Sequence, residues 1–223
     1  MSQFLLRLEH LSCTRDGRSL FGDLDLTLSQ GECLELRGPN GSGKSTLLRA
    51  IAGLYPDIQG TISTSDCLYW GHRLGLNGLL TAEENLRWYQ TLQPGTVDLA
   101  AALERVGMRG YERVPCHRMS AGQQRRIALA RLLVCDSTLW LLDEPFTALD
   151  SQGQEMARQL IFEHVQRDGA VVCATHQPLA LEGARLMDLA AGQNPGPASP
   201  EAIMALEKEV AKKEAEDHGV HER

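Results

Sequence analysis

Gly38-Pro39-Asn40-Gly41-Ser42-Gly43-Lys44-Ser45-Thr46 decides the fold, because its residue types answer one problem, how to hold a chain of phosphates. Polyphosphate needs convergent backbone N–H donors, and a glycine-rich turn reaches the positive φ angles that aim those donors inward. Helix signals follow at once: Leu47, Leu48 and Ile51 take helical spacing and Gly53 marks a stop. A helix N-terminus there adds partial positive charge, Lys44 can reach the terminal phosphates, and Ser45 offers a hydroxyl to Mg²⁺. Ahead of the loop, Glu32 to Arg37 alternates as a strand does.

Strand, loop and helix in that order make the P-loop pattern. The bare motif arises by chance in a chain of this length on the order of 1% of the time. The flanking elements favour it over an incidental glycine-rich surface turn.

Composition narrows the rest. With 223 residues, 43% hydrophobic and 23% charged, the chain suits one globular domain with room for a subdomain and a tail. A net charge of -7 and the lack of any basic run argue against a nucleic-acid partner. The N-terminus has no charged region followed by an apolar stretch, and no window approaches the roughly 20 apolar residues of a membrane span, so the chain is expected to stay in the cytoplasm. Six scattered cysteines without a Cys-x-x-Cys pair fit a reducing compartment. Cys116-His117 is an adjacent pair of soft ligands, but two ligands without convergent companions do not make a metal site.

Strand patterns occupy Leu6 to Leu11 and Leu24 to Leu28, joined by the turn Arg15-Asp16-Gly17-Arg18, which predicts an antiparallel arm. Short apolar runs from Gly60 to Gly71 again read as strands. A helical block covers about 74–134: Thr81 with Glu84 is a capping box, Leu99 to Val106 a second helix closed by Gly107, and Ser120 with Gln123 another capping box. Thr138 to Asp143 is an apolar run of the kind buried on both faces of a parallel sheet, Asp150 to Asp168 a helix capped by Gly169, and Ala170 to Ala174 a further buried strand. Strands alternating with helices predict an α/β fold with a parallel-sheet core. The predicted domain is 1–192, and 193–223 reads as a Pro-rich linker and a solvated helical tail.

Two adjacent carboxylates, Asp143 and Glu144, close the run that begins at Thr138. Asp143 suits Mg²⁺ coordination and Glu144 suits polarising an attacking water, although an acidic pair at a strand end can also cap the next helix. His176 sits at another strand end, where ligands bind in open α/β sheets, and can hydrogen-bond a terminal phosphate.

The ordered set of Gly38 to Thr46, Met119-Ser120-Ala121-Gly122-Gln123-Gln124-Arg125, Asp143-Glu144, Ala148-Leu149-Asp150 and His176 resembles the ABC-type ATPases over nearly all of residues 4–192. The resemblance implies a P-loop NTPase of ABC type with an antiparallel β arm and an inserted helical subdomain. It also implies ATP and Mg²⁺ as ligands. Lys44 and Ser45 become the phosphate and Mg²⁺ contacts, Glu144 the general base, His176 the γ-phosphate switch and Asp150 a dimer-interface residue. The signature segment, with Met119 and Ala121 as conservative departures, would close the site of an opposite subunit. Ser120, Ala121, Gly122 and Gln123 therefore make trans contacts to ATP in a head-to-tail dimer of paired ATPase subunits.

Two positions depart from the pattern: Arg15 stands where an adenine-stacking aromatic is usual, and His72 where a glutamine usually contacts Mg²⁺ or water. A planar guanidinium can stack on adenine, and a neutral imidazole can still coordinate. The stretches Tyr69-Trp70-Gly71-His72, Thr81 to Tyr89, Trp140 to Asp150 and Thr175-His176-Gln177 resemble more narrowly the ATP-binding export subunits of bacterial cytochrome c maturation, in which Gly-His occupies that place. This implies a peripheral protein on the cytoplasmic face of the inner membrane, docked on an integral membrane permease through the loop from His72 to Gly78. It would couple ATP hydrolysis to haem delivery without itself binding haem. An ABC ATPase for another exported substrate, and an ATP-gated dimerising module without hydrolysis, fit the same motifs.

Overall fold

A computed structural model describes residues 4–189 together with the strand Gly196–Pro197. The expected helical tail, and the rest of the expected linker, lie outside the described residues.

Two long strands open the chain, β1 (Phe4–Arg15) and β2 (Arg18–Ser29), paired antiparallel. Asp16 and Gly17 both adopt positive φ, 51° and 75°, which gives the two-residue turn the twist that matches its strands. β4 (Gln59–Thr64) pairs with the other edge of β1, completing a three-stranded arm of order β2-β1-β4.

The second sheet holds β3 (Cys33–Arg37), β5 (Cys67–Trp70), β6 (Leu139–Asp143), β7 (Ala170–Ala174), β8 (Arg185–Asp188) and β9 (Gly196–Pro197). Their order is β5-β6-β7-β3-β8-β9, parallel throughout except for the β8–β9 edge pair. Gly196 and Pro197, within the stretch expected to be linker, are therefore placed as an edge strand.

Strand periodicity divides the core in two. Leu34, Leu36, Leu139, Leu141, Ala170, Val172 and Ala174 face α1 (Lys44–Ile51) and the arm. Cys33, Trp140, Leu142, Val171 and Cys173 face the opposite layer, where α4 (Ala121–Val134) and α5 (Ser151–Gln166) pack. With both faces covered, a central parallel strand cannot alternate buried with exposed residues.

β3 shows the consequence: the alternation of Glu32 to Arg37 predicts the strand correctly but not its exposure. Residues Cys33 to Leu36 are all buried, Glu35 included. Its carboxylate accepts from the Leu179 N–H at 3.1 Å and from the Arg37 guanidinium, so the buried charge is paired on both oxygens.

α2 (Ala82–Leu92) and α3 (Leu99–Arg105) lie with α4 between β5 and β6 in the chain. Thr81 and Glu84 form the reciprocal capping box of α2, and Ser120 and Gln123 that of α4. α5 ends differently from expectation: Asp168, at φ 61°, makes the left-handed turn, and the Gly169 N–H donates to His164 O at 3.0 Å. Among the described residues no helix is long and apolar enough to cross a membrane.

Candidate nucleotide site

The loop between β3 and α1 is built as its glycines require. Gly38 has φ 132°, and a Cβ there would lie 2.7 Å from Ser42 Oγ. Gly43 has φ 101° as the N-cap of α1, and a Cβ there would press on Leu20 and Phe21 at 3.2 Å. The Lys44 side chain is buried and folds back over its own loop, with Nζ donating to Gly38 O at 2.6 Å and Pro39 O at 3.1 Å. An ammonium has three donors, so one remains for a phosphate oxygen. Ser42 Oγ is buried and has no hydrogen-bond partner among the described residues. Narrow glycine turns, a spare Lys donor and an unpartnered hydroxyl fit a polyphosphate.

Beside the loop, Ser45 Oγ donates to Asp143 Oδ1 at 3.0 Å. The serine stands in the first turn of α1 and the aspartate ends β6, so the contact joins the phosphate loop to the end of the strand. Hydroxyl and carboxylate are the hard oxygen donors that Mg²⁺ selects, and these two residues can hold it.

Glu144 comes next and takes φ 53°, a conformation that a non-glycine residue keeps only when its surroundings enforce it. Its N–H donates to Ala174 O at 2.8 Å, and the Arg125 guanidinium donates to its carbonyl. Arg125 lies over the Trp70 ring at 4.6 Å. The bend separates the jobs of the two acids: Asp143 is buried against Ser45, while Glu144 reaches His176.

His176 Nε2 lies 3.4 Å from Glu144 Oε1 and 3.1 Å from Asn40 Oδ1. Facing two oxygen acceptors, this nitrogen carries the ring proton. Its backbone carbonyl accepts from Arg37 at 3.1 Å, which fixes the loop after β7. Asn40, Glu144 and His176 thus converge from three loops at the carboxyl ends of parallel strands.

A cleft of about 220 Å³ is lined by Arg15, Leu20, Asn40, Gly41, Gly43, Lys44, Ser45, Thr46, Asp143 and Glu144. Arg15, at the end of β1, therefore borders the phosphate loop. Ser120, Gly122 and Gln123 do not; they line a separate cleft with Tyr111, Arg126, Ala148 and Asp150. Ala121 opens α4 beside them. Asp150 caps α5 through the Gly153 N–H at 2.8 Å and takes two bonds from Arg126, at 2.8 and 3.1 Å.

His72 is exposed and does not line the phosphate cleft. Tyr69, to which the motifs give no role, reaches the acids instead, with its hydroxyl 3.3 Å from Asp143 Oδ2. Arg125 closes the signature segment, but the motif gives it no role, because its partner is a backbone carbonyl that no sequence pattern marks. For Tyr69 the sequence signal is its place in the stretch Tyr69 to His72; the pairing of its strand with that of Asp143 belongs to the fold.

The description of the ABC transporter family matches residues 21–147. The chain belongs to that family. Cytochrome c biogenesis ATP-binding export protein CcmA of Pseudomonas putida strain KT2440 is 46% identical, the match covering 84% of this chain and 97% of that protein. The protein of the same name from Saccharophagus degradans is 40% identical, over 82% and 92% of the two chains. Among solved structures, an inward-facing transporter described as metal-chelate type superposes with TM-score 0.76 at 25% identity, covering 92% of this chain and 89% of its own. An ATP-binding subunit of an ABC transporter gives TM-score 0.77 at 21% identity, with coverages of 88% and 90%. This ABC protein is therefore a nucleotide-binding ATPase whose hydrolysis is coupled to transport, and such ATPases work with membrane permease subunits.

Proposed function

We propose that this ABC ATPase drives an export system of cytochrome c biogenesis, with haem delivery as the step it powers. The observation that carries this reading is 40–46% identity to CcmA proteins over more than four fifths of the chain. The ATPase sits on the cytoplasmic face of the inner membrane against an integral permease, and the segment from His72 to Gly78 is the docking loop. The ATPase moves its partner and does no chemistry on cargo, so haem does not bind this chain. The domain 1–192 is the working unit.

Glu144 and His176 are the catalytic pair. Their 3.4 Å approach puts the imidazole beside the carboxylate that polarises the attacking water, and the single His176 Nε2–H, which faces Glu144 and Asn40 here, would turn to a phosphate oxygen when ATP binds. Mg²⁺, held by Ser45 and Asp143, would neutralise charge on the phosphates. Arg15 offers its guanidinium face to adenine.

The signature residues of one chain line a cleft distinct from its phosphate cleft, which favours use in trans. Ser120 Oγ accepts from the Gln123 N–H at 3.2 Å and so keeps its own proton for donation across a head-to-tail dimer. ATP shared between Lys44 of one chain and Ser120 of the other stabilises the closed dimer, and hydrolysis releases it.

Deletion of the gene should abolish covalently haem-stained c-type cytochromes in membranes. Wild-type chain should restore them and the Glu144→Gln variant should not. A deletion strain with normal cytochrome c would overturn the assignment to this pathway while leaving the ATPase in place.

A further inference from the structure

Strand alternation on β5 sends neighbouring aromatic rings to opposite sides of the sheet. Trp70 is fully buried in the layer with α4, where its Nε1 donates to Ala128 O at 3.1 Å. Tyr69 turns the other way, toward α1 and Asp143. Its backbone is pinned by Arg131, whose Nη2 donates to Tyr69 O at 2.9 Å.

The phenol closes a short chain of polar contacts. Arg49 Nε donates to Tyr69 Oη at 3.4 Å, Tyr69 Oη donates to Asp143 Oδ2 at 3.3 Å, and Ser45 Oγ donates to Asp143 Oδ1 at 3.0 Å. Ser45 and Arg49 are one turn apart on α1, so the helix reaches both sides of the carboxylate, directly at one oxygen and through Tyr69 at the other.

Gly71 has an independent connection with this arrangement. Its φ is not in the left-handed region, so backbone freedom is not what the position needs. A Cβ there would lie 2.7 Å from both Cε1 and Oη of Tyr69. The missing side chain is the space in which the tyrosine ring lies. His72 follows, exposed and away from the cleft.

We propose that Tyr69 is the positioning residue of the divalent-cation site: its hydroxyl holds Oδ2 of Asp143 and leaves Oδ1 turned to Ser45, and Gly71 is small so that the ring can do so. The assignment rests on Asp143 and Ser45 as the cation's protein ligands. Were the Ser45 hydroxyl to turn from Asp143 to a cation, Tyr69 would still fix the carboxylate's rotation. Outer partners of this kind change cation affinity when removed.

The test uses Mn²⁺ as a spectroscopic stand-in, titrated into the full chain with a non-hydrolysable ATP analogue and followed by electron paramagnetic resonance. Tyr69→Phe keeps the ring and deletes the hydroxyl. It should weaken Mn²⁺ binding about tenfold, with analogue affinity in EDTA unchanged. Gly71→Ala should show the same selective loss by displacing the ring, and the double variant should be no worse than the singles, because both break one contact. Mn²⁺ binding by Tyr69→Phe equal to wild type would overturn the proposal and leave the cation reading standing. A wild type whose Mn²⁺ affinity is indifferent to the analogue, or unchanged by Asp143→Asn, would sink the cation reading and this proposal with it.

Discussion

Arg125 donates from its guanidinium to the backbone carbonyl of Glu144, and so ties the helix that starts at Ser120 to the bend that presents the proposed general base. The bend needs the tie, since Glu144 holds φ 53° without the freedom of glycine. Burial lowers the Arg125 pKa from its usual range, yet guanidinium remains charged, and its planar face on Trp70 fixes its direction.

Arg125→Ala should therefore lower ATP turnover by about 10- to 100-fold through misplacement of Glu144. Nucleotide affinity should change by less than about threefold, because Arg125 lies outside the phosphate loop. Unfolding in urea should show a loss of about 1 kcal/mol, because the part-buried Glu144 carbonyl loses its guanidinium donor and keeps only the Thr147 N–H at 3.4 Å. Arg125→Lys should recover little turnover, as an ammonium cannot both donate and lie flat on the indole. Wild-type turnover in the alanine variant would show that the bend stands without this contact.

The phosphate loop separates two uses of glycine. At Gly38 an added Cβ meets Ser42 Oγ at 2.7 Å and φ is 132°, whereas at Gly41 φ is 83° and nothing lies within 4 Å. Gly38→Ala should weaken ATP binding by at least about tenfold, the equivalent of ~1.4 kcal/mol. Gly41→Ala should stay within about fivefold, its strain falling mainly on the loop itself. Isothermal titration calorimetry distinguishes them, and equal losses at both positions would mean that conformation alone, not crowding, governs the loop.

The phosphate loop, the acidic strand end and His176 were legible in the sequence because each combines a residue type with an element boundary, and both are local properties. The capping boxes at Thr81 and Ser120 were legible for the same reason. Glu35 was not: its burial follows from β3 lying between β7 and β8, a fact of sheet order that the segment does not encode. Tyr69 was hidden by the same cause, since only the β5–β6 pairing brings it to Asp143. His72 drew attention through its motif position, but a position in a motif does not fix where a loop side chain points. Asp150 is read from the motif as an interface residue; the fold also makes it the cap of α5.

If the site is completed in trans, Glu144→Gln should accumulate an ATP- and Mg²⁺-dependent dimer, seen as a doubled mass by light scattering. Adding Ser120→Arg should return that particle to a monomer by placing bulk and positive charge in the signature cleft, with ATP still bound by the monomer. Ser120 also caps α4, so loss of the cap costs about 1 kcal/mol and a melting curve must accompany the mass. A persistent dimer in the folded double variant would place the interface elsewhere.

His164 gives the chain a sign-definite response to acid. Its ring stacks on Trp140, centroids 3.8 Å apart and planes 7° from parallel, and Nε2 lies 3.3 Å from Thr138 O. Burial pushes its pKa down from 6.5 to about 4, opposed by hydrogen bonds to backbone and reinforced by the charge of Arg167. Above about pH 6.5 the imidazole is neutral in folded and unfolded chains alike, and no linkage arises. Between that value and about 4 the unfolded chain takes up a proton that the folded one refuses, so stability falls as pH falls and levels off below the folded pKa. The accumulated loss is about 2–3 kcal/mol after allowance for the partly exposed ring. Carboxylates add their own acid sensitivity, so the comparison must be with His164→Gln. At pH 7 the wild type should be the more stable in urea because it retains the stacked ring; at pH 4.5 its advantage should shrink by about 2 kcal/mol. An advantage that does not change between the two pH values would mean that His164 titrates in the folded chain as it does in water.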